Sequence, residues 1–597
     1  MKSMAVFVAF LFLAFGAMAT FSNVDVKKEL PTMEKSIDFA SLLQKNYSIL
    51  LTENKPLIPY YTKTYVLPAG SKFKISVEAK GIKNLGKVDM KAGYIPSPPG
   101  YAIKEGNYDK NIVYPEKWYS WNAMGGIKDG EHVVIIKVNL YPLRYVKGNA
   151  LYASDFDVNV SYEPPSSPLF NVDTYDLLII APDKWMNDLE PLKEHKESHG
   201  VKTVIVGLNE IYGGKYFTVQ GRDDAEKIKY FIKDAIETWG IKYVLLVGGR
   251  KPGLHEEWLM PVRYVYVTWP ETGYVENHYI SDLYFADIYD ANYSFSSWDT
   301  DGNDIFCEWR KMEKLKDSID LYPDVYLGRW ACRNEWELKT MVEKTIEYEN
   351  SHASKKIVLI GGDTFEPEGI EGEIVCDKAM EYLPGYEAAK VYASEIKVNP
   401  KNIRKALGNG SVFMFLHGHG GPIRWNTCKP GVFDRRERGL WVFDLPFFFN
   451  KEYPITIFGG CHTAMFNISL TVFSWSIPSP EGLSWWFARK YNGGGIASFG
   501  YTAFPVATPG EGGDLDGDGI NEPDCVESGY GYMELGLFDG YAKENQYLGE
   551  CWGYAVSRYI EHFKIPYERW HFHTIQSFVL LGDPSLKIGG YSPQYIE

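Results

Sequence analysis

Val412-Phe-Met-Phe-Leu-His-Gly-His-Gly-Gly421 runs from an apolar stretch straight into two histidines spaced by glycine. A short apolar run bounded by glycine has the pattern of a strand buried on both faces of a parallel sheet. Two other stretches share this grammar, Lys356-Ile-Val-Leu-Ile-Gly-Gly-Asp363 and Ile455-Thr-Ile-Phe-Gly-Gly-Cys-His462. Each ends in glycine followed by a side chain capable of chemistry. In open parallel sheets the carboxyl ends of the strands line the ligand crevice, so Asp363, His419 and Cys461 are expected to converge although they lie far apart in order. A cysteine attacks as its thiolate, a neighbouring imidazole moves the proton, and a carboxylate can hold that imidazole in one tautomer. The backbone N–H groups of Gly420 and Cys461 are the expected donors to a developing oxyanion.

Working outward, strand and helix patterns alternate on both sides of these blocks. Leu177-Leu-Ile-Ile-Ala, Val201 to Val206 and Tyr243-Val-Leu-Leu-Val read as strands, and Asp183 to His199, Asp223 to Trp239 and Asn334 to Asn350 as amphipathic helices. This alternation predicts an α/β unit of two parallel-sheet subdomains, 173–350 and 351–590. Before it the pattern changes to β-type runs punctuated by Gly and Pro, such as Lys72-Phe-Lys-Ile-Ser-Val-Glu and His132-Val-Val-Ile-Ile-Lys-Val. Residues 20–163 are therefore expected to form an all-β, sandwich-like domain, joined through a Pro-rich linker at 164–172. Residues 591–597 form a tail.

The chain has 597 residues, 45% hydrophobic and 23% charged, which disfavours disordered and fibrous classes. Its net charge is −15 and no basic run follows a phosphate backbone, so nucleic acid is not an expected partner. Residues 1–19 carry Lys2, an apolar stretch and a small-x-small ending at Ala17-Met-Ala19, the pattern of a secretory signal; no membrane span is expected in the mature chain. Seven cysteines are too few for a disulfide scaffold and odd in number, so at least one thiol stays outside any internal disulfide.

Oxygen-rich loops suggest a structural cation. Asp514, Asp516 and Asp518 alternate as in the first half of a calcium loop, with the carbonyl of Ile520 next and Glu522 or Asp524 to close the shell. Asp299, Asp301, Asn303 and Glu308 repeat the logic with looser spacing. Calcium is the expected ion, and no organic cofactor is expected. A rival reading groups His417, His419 and His462 as ligands of a hydrolytic zinc, but no further ligand motif accompanies them. A third reading is a catalytically silent, calcium-stabilised surface binding protein.

The pairing of a His-Gly block after one strand with a Gly-Cys block after the next resembles the caspase-like clan of cysteine peptidases, and within it the gingipain family. Leu416-His-Gly-His-Gly-Gly is similar to the block that carries the family's catalytic histidine, which implies His419; Phe458-Gly-Gly-Cys-His-Thr-Ala-Met-Phe is similar to the nucleophile block, which implies Cys461. Asp363 lies where such enzymes carry the acid that orients the histidine. Ser281-Asp-Leu-Tyr-Phe-Ala-Asp, Pro323-Asp-Val-Tyr-Leu-Gly-Arg and Leu581-Gly-Asp-Pro-Ser-Leu also match family blocks. The resemblance implies a caspase-like fold, a secreted cysteine endopeptidase acting on proteins or peptides, and a zymogen whose β-rich N-terminal part is an inhibitory chaperone. Two departures stand out. Gly421-Pro-Ile replaces a Ser-Glu-Thr found in some members, and Gly148 to Asp183 contains neither Lys nor Arg, so cleavage after a basic residue within the linker is impossible. A pocket for a basic substrate side chain would need a buried carboxylate, for which Glu511 and Asp514 are candidates.

Overall fold

The apolar runs become strands whose residues are buried along their whole length. The computed structural model describes residues 19–20 and 47–591, apart from 95–105, 171, 254, 268–277, 311–314, 353, 366–368, 471–477, 509, 511 and 564–568. Most of the expected signal, part of the linker, most of the tail and Glu511 therefore lie outside the described residues.

The first sheet of the α/β region contains β1 (Leu177–Ala181), β2 (Thr203–Gly207), β3 (Tyr243–Val247) and β4 (Tyr326–Trp330), all parallel in the order β2-β1-β3-β4. The second contains β5 (Lys356–Gly361), β6 (Glu387–Tyr392), β7 (Phe413–His417), β11 (Ile455–Gly459), β12 (Ala497–Tyr501) and β13 (Phe578–Leu581), in the order β6-β5-β7-β11-β12-β13. Only its last strand is antiparallel. Between β7 and β11 the chain makes a small antiparallel sheet of β8 (His419–Gly421), β9 (Arg424–Lys429) and β10 (Val432–Trp441).

Two of the long helices begin where the sequence supplies a side-chain cap. Asp223 accepts the N–H of Glu226 ahead of α2 (Asp224–Trp239), which follows α1 (Met186–Ser198), and α2 ends on Gly240 in the left-handed region at φ 75°. Asn334 does the same for α3 (Glu335–Glu349). Downstream, α4 (Gly529–Ala542) and α5 (Leu548–His562) complete the helices that matter here.

Two subdomains were expected to divide near residue 350, yet one hydrophobic cluster contains Leu178 and Val244 of the first sheet together with Leu359 and Phe415 of the second. The edge strands also abut: a Cβ on Gly328 of β4 would lie 2.3 Å from the carbonyl oxygen of Gly582, just past β13. The interior is thus continuous. Buried charges tie it together. Arg329 Nε and Nη2 donate to the two carboxylate oxygens of Asp282 at 2.7 and 2.8 Å, while Lys196 on α1 sits 2.8 Å from both Glu349 on α3 and Asp583. The Asp282, Arg329 and Asp583 motifs are therefore framework.

Described residues 47–163 contain strands and turns without helix. Two of their sheets face each other around Leu67, Val134, Ile136, Val138, Phe156 and Val160. This part meets the α/β region through both apolar and polar contacts: Met124 and Ile135 are buried in the same cluster as Leu178 and Leu246, and Ile49, Leu51 and Leu57 pack with Leu515, while Lys128 pairs with Glu561 at 2.6 Å, the Gly125 N–H donates to Asp320, and Tyr94 hydroxyl donates to Asp524. A cavity of about 580 Å³, lined by Thr62, Lys128, Tyr322 and Arg558 among others, lies between them.

Lys137 is fully buried in this interface and donates to the carbonyls of Ile560 and Phe563 at the end of α5. Burial pushes its amine down to about 7, with nearby Glu561 pulling it partly back. Its neighbours His562 and His571 are held by burial well below neutrality and do not titrate above pH 7. A free lysine titrates near about 10.4, so docking releases a proton between about pH 7 and that value. Docking should consequently strengthen as pH rises through this window and stay level below it. Thermal unfolding followed from pH 7 to 10 should show this rise, and Lys137→Met should flatten it.

Candidate active site

β7 and β11 are adjacent parallel strands in register, with His417 opposite Gly459 and the Gly418 N–H donating to Gly459 O at 3.1 Å. Continued by two residues, this register sets His419 beside Cys461. The main chains make contact there: a Cβ on Gly460 would lie 2.7 Å from Gly420 N, and one on Gly420 would lie 2.9 Å from Cys461 N and 2.6 Å from Cys461 O. Gly460 has φ 152° and His462 has φ 58°, so the chain turns sharply on both sides of the thiol. Trp425, wholly buried, donates its indole N–H to Gly459 O, and Thr463 donates its hydroxyl to Phe458 O, which fixes the turn from both sides.

Cys461 differs from the other cysteines. Six of the seven are buried, and Cys461 alone is partly exposed. It rests against Phe504, Val506 and Trp570. Burial raises the thiols of Cys307, Cys332, Cys376, Cys525 and Cys551, which makes them poor nucleophiles.

Asp363 follows β5 and pairs by backbone with Cys428 of β9, on the same edge of β9 where His419 pairs with Asn426. Their partners on β9 are thus two residues apart, about 7 Å along the strand. Its Oδ2 accepts the N–H groups of Gly369 and Gly431 at 3.1 and 2.8 Å; Oδ1 is buried without a hydrogen-bond partner among the described residues. Burial raises its carboxyl above the usual range, against those backbone hydrogen bonds. Glu371 stands beside it and is pushed up to about 7, chiefly by burial.

The histidines grouped in the zinc reading do not form a ligand set. His417 Nδ1 is 2.7 Å from Glu534, and the metal-compatible groups among the described residues contain carboxylates only.

Those groups revise the expected cation shells. In the first loop, oxygens of Asp514, Asp516 and Glu527 lie within 4.8 Å of one another. Glu522 instead pairs with Lys378 at 2.8 Å, and Asp524 accepts from Gly512 N and Tyr94; Asp518 accepts from the N–H of Ile520, whose side chain is exposed. The closing glutamate comes two residues beyond the twelfth loop position, because a helical turn at Asp524–Glu527 carries it back over the loop. In the second, Asp317 joins Asp299 and Asp301, while Glu308 pairs with Arg310 and Lys316, and Asn303 donates its amide to Asp301 and Glu308. Neither Glu527 nor Asp317 stands at a position the loop pattern specifies; only the abundance of acids downstream hinted at them. Asp514, also a candidate floor for a basic substrate side chain, belongs to the first cluster.

A partly exposed thiol at the end of one parallel strand, with an imidazole at the end of its neighbour, is the arrangement a cysteine peptidase uses. The sequence profile of peptidase family C25 matches residues 171–589. The chain belongs to that family. Gingipain R2 of Porphyromonas gingivalis is 23% identical over 278 residues, a stretch that spans 43% of this chain and 29% of the relative. The crystal structure of the Arg-specific cysteine proteinase gingipain R aligns with 71% of this chain and 80% of that one at 17% identity and a TM-score of 0.46. A complex of the pro- and mature domains of RgpB from P. gingivalis aligns with 69% of this chain and 79% of its own at 19% identity and a TM-score of 0.43. No helix among the described residues is long and apolar enough to cross a membrane.

Proposed function

We propose that the chain is a secreted cysteine endopeptidase produced as a zymogen. The observation that carries this reading is the register of β7 and β11, which sets the imidazole-bearing residue beside the one partly exposed thiol. In this scheme the Cys461 thiolate attacks the carbonyl carbon of a peptide bond, and the N–H groups of Gly420 and Cys461 hold the oxyanion. Protonated His419 gives its proton to the leaving amine. It then takes one from the water that attacks the acyl carbon, and the C–S bond breaks to return the Cys461 thiolate beside protonated His419. Asp363 orients His419 through its remaining carboxylate oxygen. Iodoacetamide should therefore stop hydrolysis of a protein substrate such as casein, and added zinc should not restore it.

Residues 20–163 act as the inhibitory N-terminal part. Its own sheets enclose a separate core around Val134, Ile136 and Val138, and Pro164, Ser166, Ser167, Pro168 and Leu169 of the linker are exposed to another protease. Calcium is the proposed occupant of the Asp514, Asp516 and Glu527 cluster, where burial lifts Asp516 to about 7 and Glu527 to about 8, a cost a divalent cation would remove. Calcium at one hundred times its dissociation constant should add about 2.7 kcal/mol of stability, seen as a higher unfolding temperature. Glu527→Gln should lose most of that gain.

A further inference from the structure

A buried network that this hydrolytic scheme does not use lies beneath the turn that carries His419. His417 is buried, and its ring lies face to face with that of Tyr530, the centroids 4.1 Å and the planes 8° apart. His417 Nδ1 is 2.7 Å from Glu534 Oε2. Tyr530 and Glu534 are four residues apart on α4 and so project from one face of the helix. The Tyr530 hydroxyl donates to the carbonyl of Gly418 at 3.3 Å. Glu534 also reaches β11, for a Cβ on Gly459 would lie 2.6 Å from its Oε2 and 2.7 Å from its Oε1. Since Gly459 pairs with His417 across the sheet, one helix face grips both strand ends at a single level.

Burial disfavours the charged form of both partners. Burial holds the His417 imidazole down to about 3, with the charge of His419 a second cause, and raises the Glu534 carboxyl well above the usual range. An imidazolium at 417 would repel the protonated form of His419 that a thiolate needs beside it.

We propose that His417, Tyr530 and Glu534 are positioning residues for the Cys461–His419 pair: they fix the spacing of the turns after β7 and β11. The proposal rests on the reading of Cys461 and His419 as the reacting pair. Neither the thiol nor the imidazole touches Glu534 in this scheme, so its effect reaches the chemistry through geometry.

The test compares Glu534→Ala with Glu534→Gln in the mature enzyme, with rates referred to folded protein by circular dichroism. A displacement of about 1 Å in the reacting groups costs about a hundredfold in rate, so kcat of Glu534→Ala should fall by about that factor while KM stays within about twofold. The pH midpoint for alkylation of Cys461 by iodoacetamide should move up toward about 8.5, the value of a free thiol. Glu534→Gln keeps the shape and a donor for Nδ1, and should recover most of both losses. Equal kcat and an unmoved alkylation midpoint in Glu534→Ala would overturn the proposal. If Glu534→Ala does not fold, Tyr530→Phe removes only the hydroxyl on Gly418 O; a lower kcat with a shifted midpoint supports the proposal and wild-type values for both refute it. Activity that survives Cys461→Ala identifies a failure of the underlying reading instead, whatever the Glu534 variants do.

Discussion

Cys461→Ala should leave a folded protein with no measurable peptide hydrolysis. Removing the nucleophile of a covalent hydrolase costs on the order of 10⁴-fold to 10⁶-fold, because the donors around the oxyanion alone retain only a small part of the acceleration. The loss should not come from unfolding. Cys461 is partly exposed and its turn is held by Trp425, Thr463 and the glycines, none of which uses the sulfur, so the unfolding temperature should match that of the wild type. The comparison with Cys376→Ala sharpens the test. That thiol is buried beside β5, its sulfur 3.6 Å from Ile360 O, and its loss should lower stability while leaving hydrolysis per folded molecule in place. Hydrolysis that persists in Cys461→Ala and stops on chelation would return the zinc reading to first place.

The second large effect is on stability. Arg329 is fully buried, donates in a two-pronged pair to Asp282, and adds Nη1 and Nη2 bonds to the carbonyls of Gly248 and Pro261 at 3.1 Å. Asp282→Ala leaves the guanidinium without its counter-charge in the interior, which costs about 3–5 kcal/mol. Guanidinium chloride unfolding should show a fall of that size. The double variant Asp282→Leu with Arg329→Met should be less damaged than Asp282→Ala alone, since replacing both charges removes the desolvation problem along with the attraction. If the single and double variants unfold alike, the pair is not the source of the stability.

The distribution of these effects explains what was legible beforehand. Asp363, His419 and Cys461 could be named because a parallel strand ends where its apolar run ends, and the residue after it inherits a place at the crevice. The helices over 223–239 and 334–350 were visible for a similar local reason, a polar cap followed by amphipathic spacing, and that over 183–199 from its spacing alone. What escaped depends on contacts between distant elements. Glu527 joins Asp514 and Asp516 only because a short helix folds back over the loop, and Glu534 meets His417 only because α4 crosses beneath β7. The blocks around Asp282, Arg329 and Asp583 were visible as motifs, but nothing in their order shows that two of them meet each other and the third meets Lys196. Spacing along a chain records local geometry and is silent about which buried charges become partners.

The shared interior of the two α/β sheets has a consequence for the molecule once it is nicked. Residues Ser351, His352 and Ser354, between α3 and β5, are exposed, and a break there would divide the chain into fragments of comparable weight. Those fragments would still be joined by Lys196 and Glu349 on one and Asp583 on the other, and by the strand edges at Gly328 and Gly582. Such a clipped enzyme would run as two bands under denaturing electrophoresis and as one particle in its native state, so loss of covalent continuity at this point need not mean loss of the assembled site.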